Sequence, residues 1–143
     1  MKKILRSCSI CLIIVVMLGT TAFAAQPAEP QSNSYILKTT VSPAALGNGV
    51  IEVACAVVGT GRMEKIGILY IEFRKADGTR LERHSYTESG YEYLMDYNSG
   101  MHSVTVQFQG VPKESYYAIV GFYASKGNGA GAFQMESSVV VAK

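Results

Sequence analysis

The sequence predicts an all-β domain of seven or eight antiparallel strands, packed as a two-layer sandwich. Three observations carry that reading. Short runs rich in Val, Ile, Tyr and Thr recur from about residue 34 to 142, each closed by a cluster of Gly, Asn, Asp or Pro. Within the runs apolar residues alternate with period two, and nowhere do they recur at helical spacing over a credible length. Without its first 24 residues the chain is roughly 119 residues long, enough to bury one hydrophobic core and too short for two. The apolar fraction of 48% is ordinary for a globular protein and argues against disorder.

The first 24 residues read as a secretion signal. Lys2, Lys3 and Arg6 form a positive start, residues 10–18 (ICLIIVVML) an apolar core, and Ala22-Phe23-Ala24 the small-residue pattern a signal peptidase reads. An uncleaved membrane anchor is the alternative, because residues 7–25 carry no charge. Cleavage after Ala24 gives a secreted protein, extracellular or cell-wall associated, with no membrane segment. It also removes Cys8 and Cys11, so Cys55 becomes the only thiol and no intramolecular disulfide is possible. Its neighbours Val53, Ala54, Ala56 and Val57 are apolar, which predicts a buried structural cysteine. Cleavage leaves ten basic against eleven acidic residues, a balance that argues against nucleic-acid binding. Residues 25–33 (AQPAEPQSN) have two prolines and no periodicity, and read as a flexible leader to a domain spanning 34–143.

The strands follow in order. The first is expected at 35–41, stopped by Pro43, which lacks a ladder donor. Gly47-Asn48-Gly49 turns the chain into 50–58, where Ile51, Val53, Cys55 and Val57 share one parity and one buried face. Gly59-Thr60-Gly61 is the next expected break. Residues 65–74 are apolar on both parities, as in a central strand covered on both faces. Asp77-Gly78 predicts a type I′ hairpin turn joining 68–75 to the charged arm 79–86, an edge strand. A short strand is expected at 91–97, with Tyr91, Tyr93, Met95 and Tyr97 on one parity. Asn98-Ser99-Gly100 should turn it into 101–109, with Val104, Val106 and Phe108 inward. Gly110-Val111-Pro112 ends that strand. The last pair is 116–125 and 133–142, joined by a long flexible loop at 126–131 (KGNGAG).

The passage Val111-Pro112-Lys113-Glu114-Ser115-Tyr116-Tyr117-Ala118-Ile119-Val120 resembles the strand E to strand F corner of fibronectin type III and related immunoglobulin-like domains. The resemblance implies an immunoglobulin/fibronectin type III-like sandwich in which Tyr116 or Tyr117 is the corner tyrosine. The glycine-rich 126–131 loop and Glu136-Ser137-Ser138-Val139-Val140-Val141 are similar to that fold's last loop and strand. The tryptophan and the cysteine pair of antibody domains are absent. The layout also resembles small secreted single-domain proteins of unknown function from Gram-positive, clostridia-like bacteria. The features shared are the signal, the 47–53 stretch GNGVIEV, Lys65-Ile66-Gly67-Ile68, the Asp77-Gly78 hairpin and the Tyr-Tyr strand. That resemblance spans about residues 34–142 and brings no catalytic residues with it.

Residue types for catalysis are sparse. His84 and His102 are the only histidines and read as exposed and solvated; no H-x-x-x-H or H-E-x-x-H spacing suggests a metal. No G-x-S-x-G elbow occurs. Acid–base hydrolysis would need two carboxylates in a cleft, whereas Glu72, Asp77, Glu82 and Glu88 fall on hairpin arms, turns and loops, where solvation is expected. The 126–131 loop lacks the Lys-Ser/Thr and helix of a phosphate loop. The chain is therefore expected to be non-catalytic, without cofactor or metal. Its one unusual concentration is Tyr86, Tyr91, Tyr93 and Tyr97 among Glu88, Glu92 and Asp96, a pattern suited to sugar or protein contact. These tyrosines, with Asn128 of the late loop, form the candidate binding surface. The expected function is recognition of an extracellular protein or cell-wall glycan. A carbohydrate-binding module and a structural envelope or spore-layer component are the alternatives.

Overall fold

The computed structural model describes residues 34–143, so the expected signal (1–24) and leader (25–33) lie outside the described residues. The strands are β1 (Ile36–Gly47), β2 (Val50–Lys75), β3 (Arg80–Ser85), β4 (Met95–Gln109), β5 (Ser115–Lys126), β6 (Gly129–Glu136) and β7 (Val140–Val141). A single 3₁₀ turn, Glu92–Leu94, precedes β4. All strand pairings are antiparallel and join the seven strands into one sheet.

The expected separation into two sheets gives way to one sheet curled as a half-barrel. The cause is β2, a 26-residue strand. Its first part, 50–58, lies between β1 and β4, and its second, 65–75, pairs with β5 on one side and with β4 and then β3 on the other. Gly59-Thr60-Gly61 is therefore a bend and not a break. Between Val58↔Met101 and Met63↔Ser99, β2 takes five steps while β4 takes two, a bulge that turns both strands together. Asn98 supplies a left-handed residue on β4 (φ 54°) beside it, so the expected 98–100 turn also lies within a continuous strand. The curl brings the ends of the sheet close, and Thr39 Oγ1 of β1 donates to Met135 Sδ of β6 at 3.7 Å.

The core lies inside the curl. Ile51, Val53, Cys55 and Val57 are buried as their alternation predicts, and face Ile66, Ile68, Ile71 and Phe73 from the second part of the same strand. Val106, Phe108, Val120 and Phe122 complete it. Phe73 stacks on Phe108 across the core with centroids 4.9 Å apart. Cys55 is free and buried, and burial pushes its thiol up to about 12.

Other boundaries differ for identifiable reasons. Pro43 sits within β1 opposite Val53. An edge strand pairs on one side only, so a proline nitrogen can face the open side without costing a ladder bond. The Asp77-Gly78 turn is not type I′, since Gly78 (φ 91°) is left-handed and Asp77 is not. Gly78 N–H donates to the Lys75 carbonyl at 2.9 Å, and Lys75 N–H to the Thr79 carbonyl at 2.9 Å, a three-residue loop with a glycine bulge. Asp77 Oδ1 accepts from Thr79 N–H at 2.8 Å. The long loop expected at 126–131 is a tight turn at Gly127-Asn128, because Ala130 and Gly131 pair with Ser125 and Ala124. The last strand divides into β6 and the short β7, with β7 taking over pairing to β5 at Ser115 and Tyr116.

Of Tyr116 and Tyr117, it is Tyr116 whose hydroxyl bonds back to the β4–β5 connection. Its hydroxyl accepts from Val111 N–H at 2.8 Å and donates to Glu114 Oε2 at 2.9 Å, and its ring packs edge-on to Phe108. Tyr117 has the opposite parity and faces out opposite Arg74.

Candidate functional site

Because β2 alternates strictly from Tyr70 to Arg74, Ile71 and Phe73 fill the core while Tyr70, Glu72 and Arg74 lie on the convex outer face. Their partners across the ladders share that face: Arg83 opposite Glu72 on β3, and Tyr117, Ile119 and Gly121 on β5. On this surface Lys65, Arg74 and Arg83 are each set against a tyrosine. The Arg83 guanidinium lies 3.7 Å from the Tyr70 ring centroid, while the Tyr70 hydroxyl donates to Gln134 Oε1 at 2.6 Å. Lys65 Nζ donates to the Tyr86 hydroxyl at 2.8 Å and lies 4.2 Å from the Tyr86 and 5.6 Å from the Tyr123 ring centroids. The bond to Tyr86 is the main reason the Lys65 pKa is raised, with burial opposing it. Tyr97 pairs opposite Lys65 and is 58% exposed. Gly121 lets the Tyr70 ring lie against the β5 backbone, since a Cβ there would stand 2.4 Å from Tyr70 Cε1.

Glu72, expected to be solvated, is 3% exposed. Arg74 binds its Oε1 at 2.5 Å, and Arg80 and Arg83 each place a guanidinium nitrogen 3.6 Å from Oε2. A buried carboxylate needs such partners. The Arg74 pKa is raised, first by its bond to Glu72 and then by the Tyr117 hydroxyl.

The sequence-predicted tyrosines divide into two groups. Tyr86 and Tyr97 flank Lys65 at one end of the outer face. Tyr91 and Tyr93 lie on the connection before β4, where a 3₁₀ turn replaces the expected strand. There Tyr91 stacks on His84 with centroids 4.0 Å apart, and Tyr93 lies 6.1 Å from Tyr91. The Tyr91 pKa is raised, mainly by desolvation, with Tyr93, Glu82 and Glu88 adding to it. Asn128 is exposed at the β5–β6 turn.

Neither histidine is freely solvated. His84 sits between Glu82 Oε1 at 3.3 Å and Glu88 Oε2 at 3.5 Å, and His102 Nε2 lies 2.8 Å from the Tyr93 carbonyl oxygen. His102 shares its parity with Val104, so it turns inward at the rim of the core. Among the described residues no group of three or more His, Cys, Asp or Glu side chains is arranged to hold a metal ion, and no helix is long and apolar enough to cross a membrane.

The sequence reading places none of Tyr70, Tyr123, Lys65, Arg74 and Arg83 in a binding surface, and Tyr117 enters it only as a candidate corner tyrosine. The available signal was the parity of Tyr70-Glu72-Arg74 beside Tyr117 and Tyr123. It becomes a surface only when β2 and β5 are paired. Comparison with protein-family models and with curated proteins finds no match to this chain.

Proposed function

We propose that this protein is a secreted, non-catalytic recognition module acting on an extracellular protein or cell-wall partner. Its outer tyrosine–cation face is the binding surface. The observation that carries the reading is the alternation of Tyr86, Lys65 and Tyr123 with Tyr70 and Arg83, and then Arg74 and Tyr117, along one sheet face. Rings held flat by cations offer broad apolar area at little conformational cost, and their polar rims offer hydrogen bonds. An immunoglobulin/fibronectin type III-like build is supported by the grouping of β1, β2 and β4 against β3, β2, β5 and β6, and by the Tyr116 corner.

The test is co-sedimentation with isolated Gram-positive cell walls and with insoluble polysaccharides. Tyr97→Ala/Tyr123→Ala should lose saturable pelleting, while Thr40→Ala/Thr105→Ala on the outside of the β1–β2–β4 part of the sheet should keep it. Equal pelleting by both double variants would refute the assignment of the face. A structural envelope component is the second reading. It is favoured by the small residues Thr40, Ser42, Ala54, Ala56, Ser103 and Thr105 around a shallow cavity of about 320 Å³, a surface on which copies of the chain could stack.

A further inference from the structure

We infer that Arg80 and Arg83, held by Glu72 beside Tyr70, form an oxyanion subsite, and that the ligand of the outer face is an anionic glycan bearing carboxylate or phosphate groups. The inference rests on the recognition reading above and names its ligand class. One carboxylate serves three guanidinium groups, so the cluster of Glu72, Arg74, Arg80 and Arg83 carries two positive charges in excess. Only Arg74 is within hydrogen-bonding distance of Glu72. Arg80 and Arg83, at 3.6 Å, are too far for a direct hydrogen bond and have no other acceptor among the described residues. Their side chains are 62% and 46% exposed, so their donors are presented to solvent. Glu72 fixes their position, and the Tyr70 ring orients the Arg83 plane. A planar guanidinium with unused donors matches a carboxylate or phosphate in a paired geometry.

Lys65, at the other end of the face, adds a third cation. Arg83 stands opposite Glu72, seven positions along β2 from Lys65, about 23 Å along a strand, which is the reach of a polymer and not of a single ion. The fully buried centre of a protein–protein interface is more apolar than its rim and depleted of charge. Among the described residues, the exposed large hydrophobics on this face are Tyr97 and Leu81, whereas Leu37, Leu46, Tyr93, Met101, Val111, Val139 and Val141 lie elsewhere. Tyrosine rings between cations suit sugar faces between acidic groups.

The experiment is equilibrium binding of the protein to immobilised polygalacturonate, a phosphomannan, neutral dextran and poly-L-glutamate. Retention on one or both acidic glycans, and not on dextran, is expected. The carboxylated and phosphorylated arms identify which oxyanion the subsite prefers. Arg80→Gln/Arg83→Gln should weaken that binding by roughly tenfold for each guanidinium removed. Lys38→Gln/Arg62→Gln, the same change in net charge elsewhere, should leave it within about twofold, as expected for distant exposed charges. A urea midpoint close to that of the parent shows that the double variant is folded. Binding to dextran as strong as to the acidic polymers would overturn the anionic ligand while leaving the recognition face intact. Equal binding to poly-L-glutamate would overturn the glycan. Equal losses in both charge variants, or no binding to any polymer despite pelleting with cell walls, would overturn the subsite alone.

Discussion

Replacing Tyr116 with Phe removes one oxygen and leaves the ring in place against Phe108. That oxygen accepts from Val111 N–H at 2.8 Å and donates to Glu114 Oε2 at 2.9 Å, so it ties the start of β5 to the end of the β4–β5 connection. Glu114 keeps Lys75 at 2.9 Å and is open enough to water to rehydrate its lost contact. The backbone bond, made by a side chain only 2% exposed, is therefore the main loss. It costs about 1.2 kcal/mol. With a urea m-value of about 1.5 kcal/mol/M, the unfolding midpoint should fall by about 0.8 M. Tyr117→Phe, on the outer face, should stay within about 0.5 kcal/mol. Tyr116→Ala also loses the packed ring and should cost about 3–5 kcal/mol. A Tyr117→Phe variant destabilised as much as Tyr116→Phe would refute the assignment of the corner.

Three further outcomes are expected. Gly67→Ala should destabilise the domain by about 2–3 kcal/mol in the same assay, because its Cβ would stand 2.3 Å from the Leu94 carbonyl oxygen and backbone cannot swing aside as a side chain does. The Glu114 pKa is lowered from 4.5, first by Lys75 and then by Tyr116. The unfolded chain therefore takes up that proton at higher pH than the folded one, and this part of the stability is present above pH 4.5 and lost as pH falls below it. Urea midpoints measured from pH 6 to 3 should fall less steeply in Glu114→Gln than in the parent. Cys55, with its thiol pushed up to about 12 by burial, should resist iodoacetamide in the native protein and react at the rate of unfolding.

Much of the sheet was legible because burial on one face leaves period-two alternation in the chain. Ile51, Val53, Cys55 and Val57 were read correctly for that reason, as were Val106 and Phe108. Glycine clusters were harder to read. Gly59-Thr60-Gly61 bends a strand and Gly127-Asn128 turns one, and the local signal is the same. What separates the two cases is distant, since β4 accompanies β2 through the bend and β6 folds straight back on β5. The outer face was missed for a related reason. Tyr70-Glu72-Arg74 was masked by the aliphatic residues around it, and the burial of Glu72 depends on Arg80 and Arg83 from the next strand. The tyrosine cluster was visible as composition, but only Tyr86 and Tyr97 belong to the outer face.

The most direct test of the proposed recognition face is an NMR titration of uniformly ¹⁵N-labelled protein with solubilised cell-wall glycan fragments. Amide shifts concentrated at Lys65, Tyr70, Arg74, Arg83, Tyr97, Tyr117 and Tyr123 are the predicted result. Shifts confined to Thr40, Ser42, Ala54, Ser103 and Thr105 on the outside of the β1–β2–β4 part of the sheet, or no shifts with fragments of walls that pellet the protein, would contradict it.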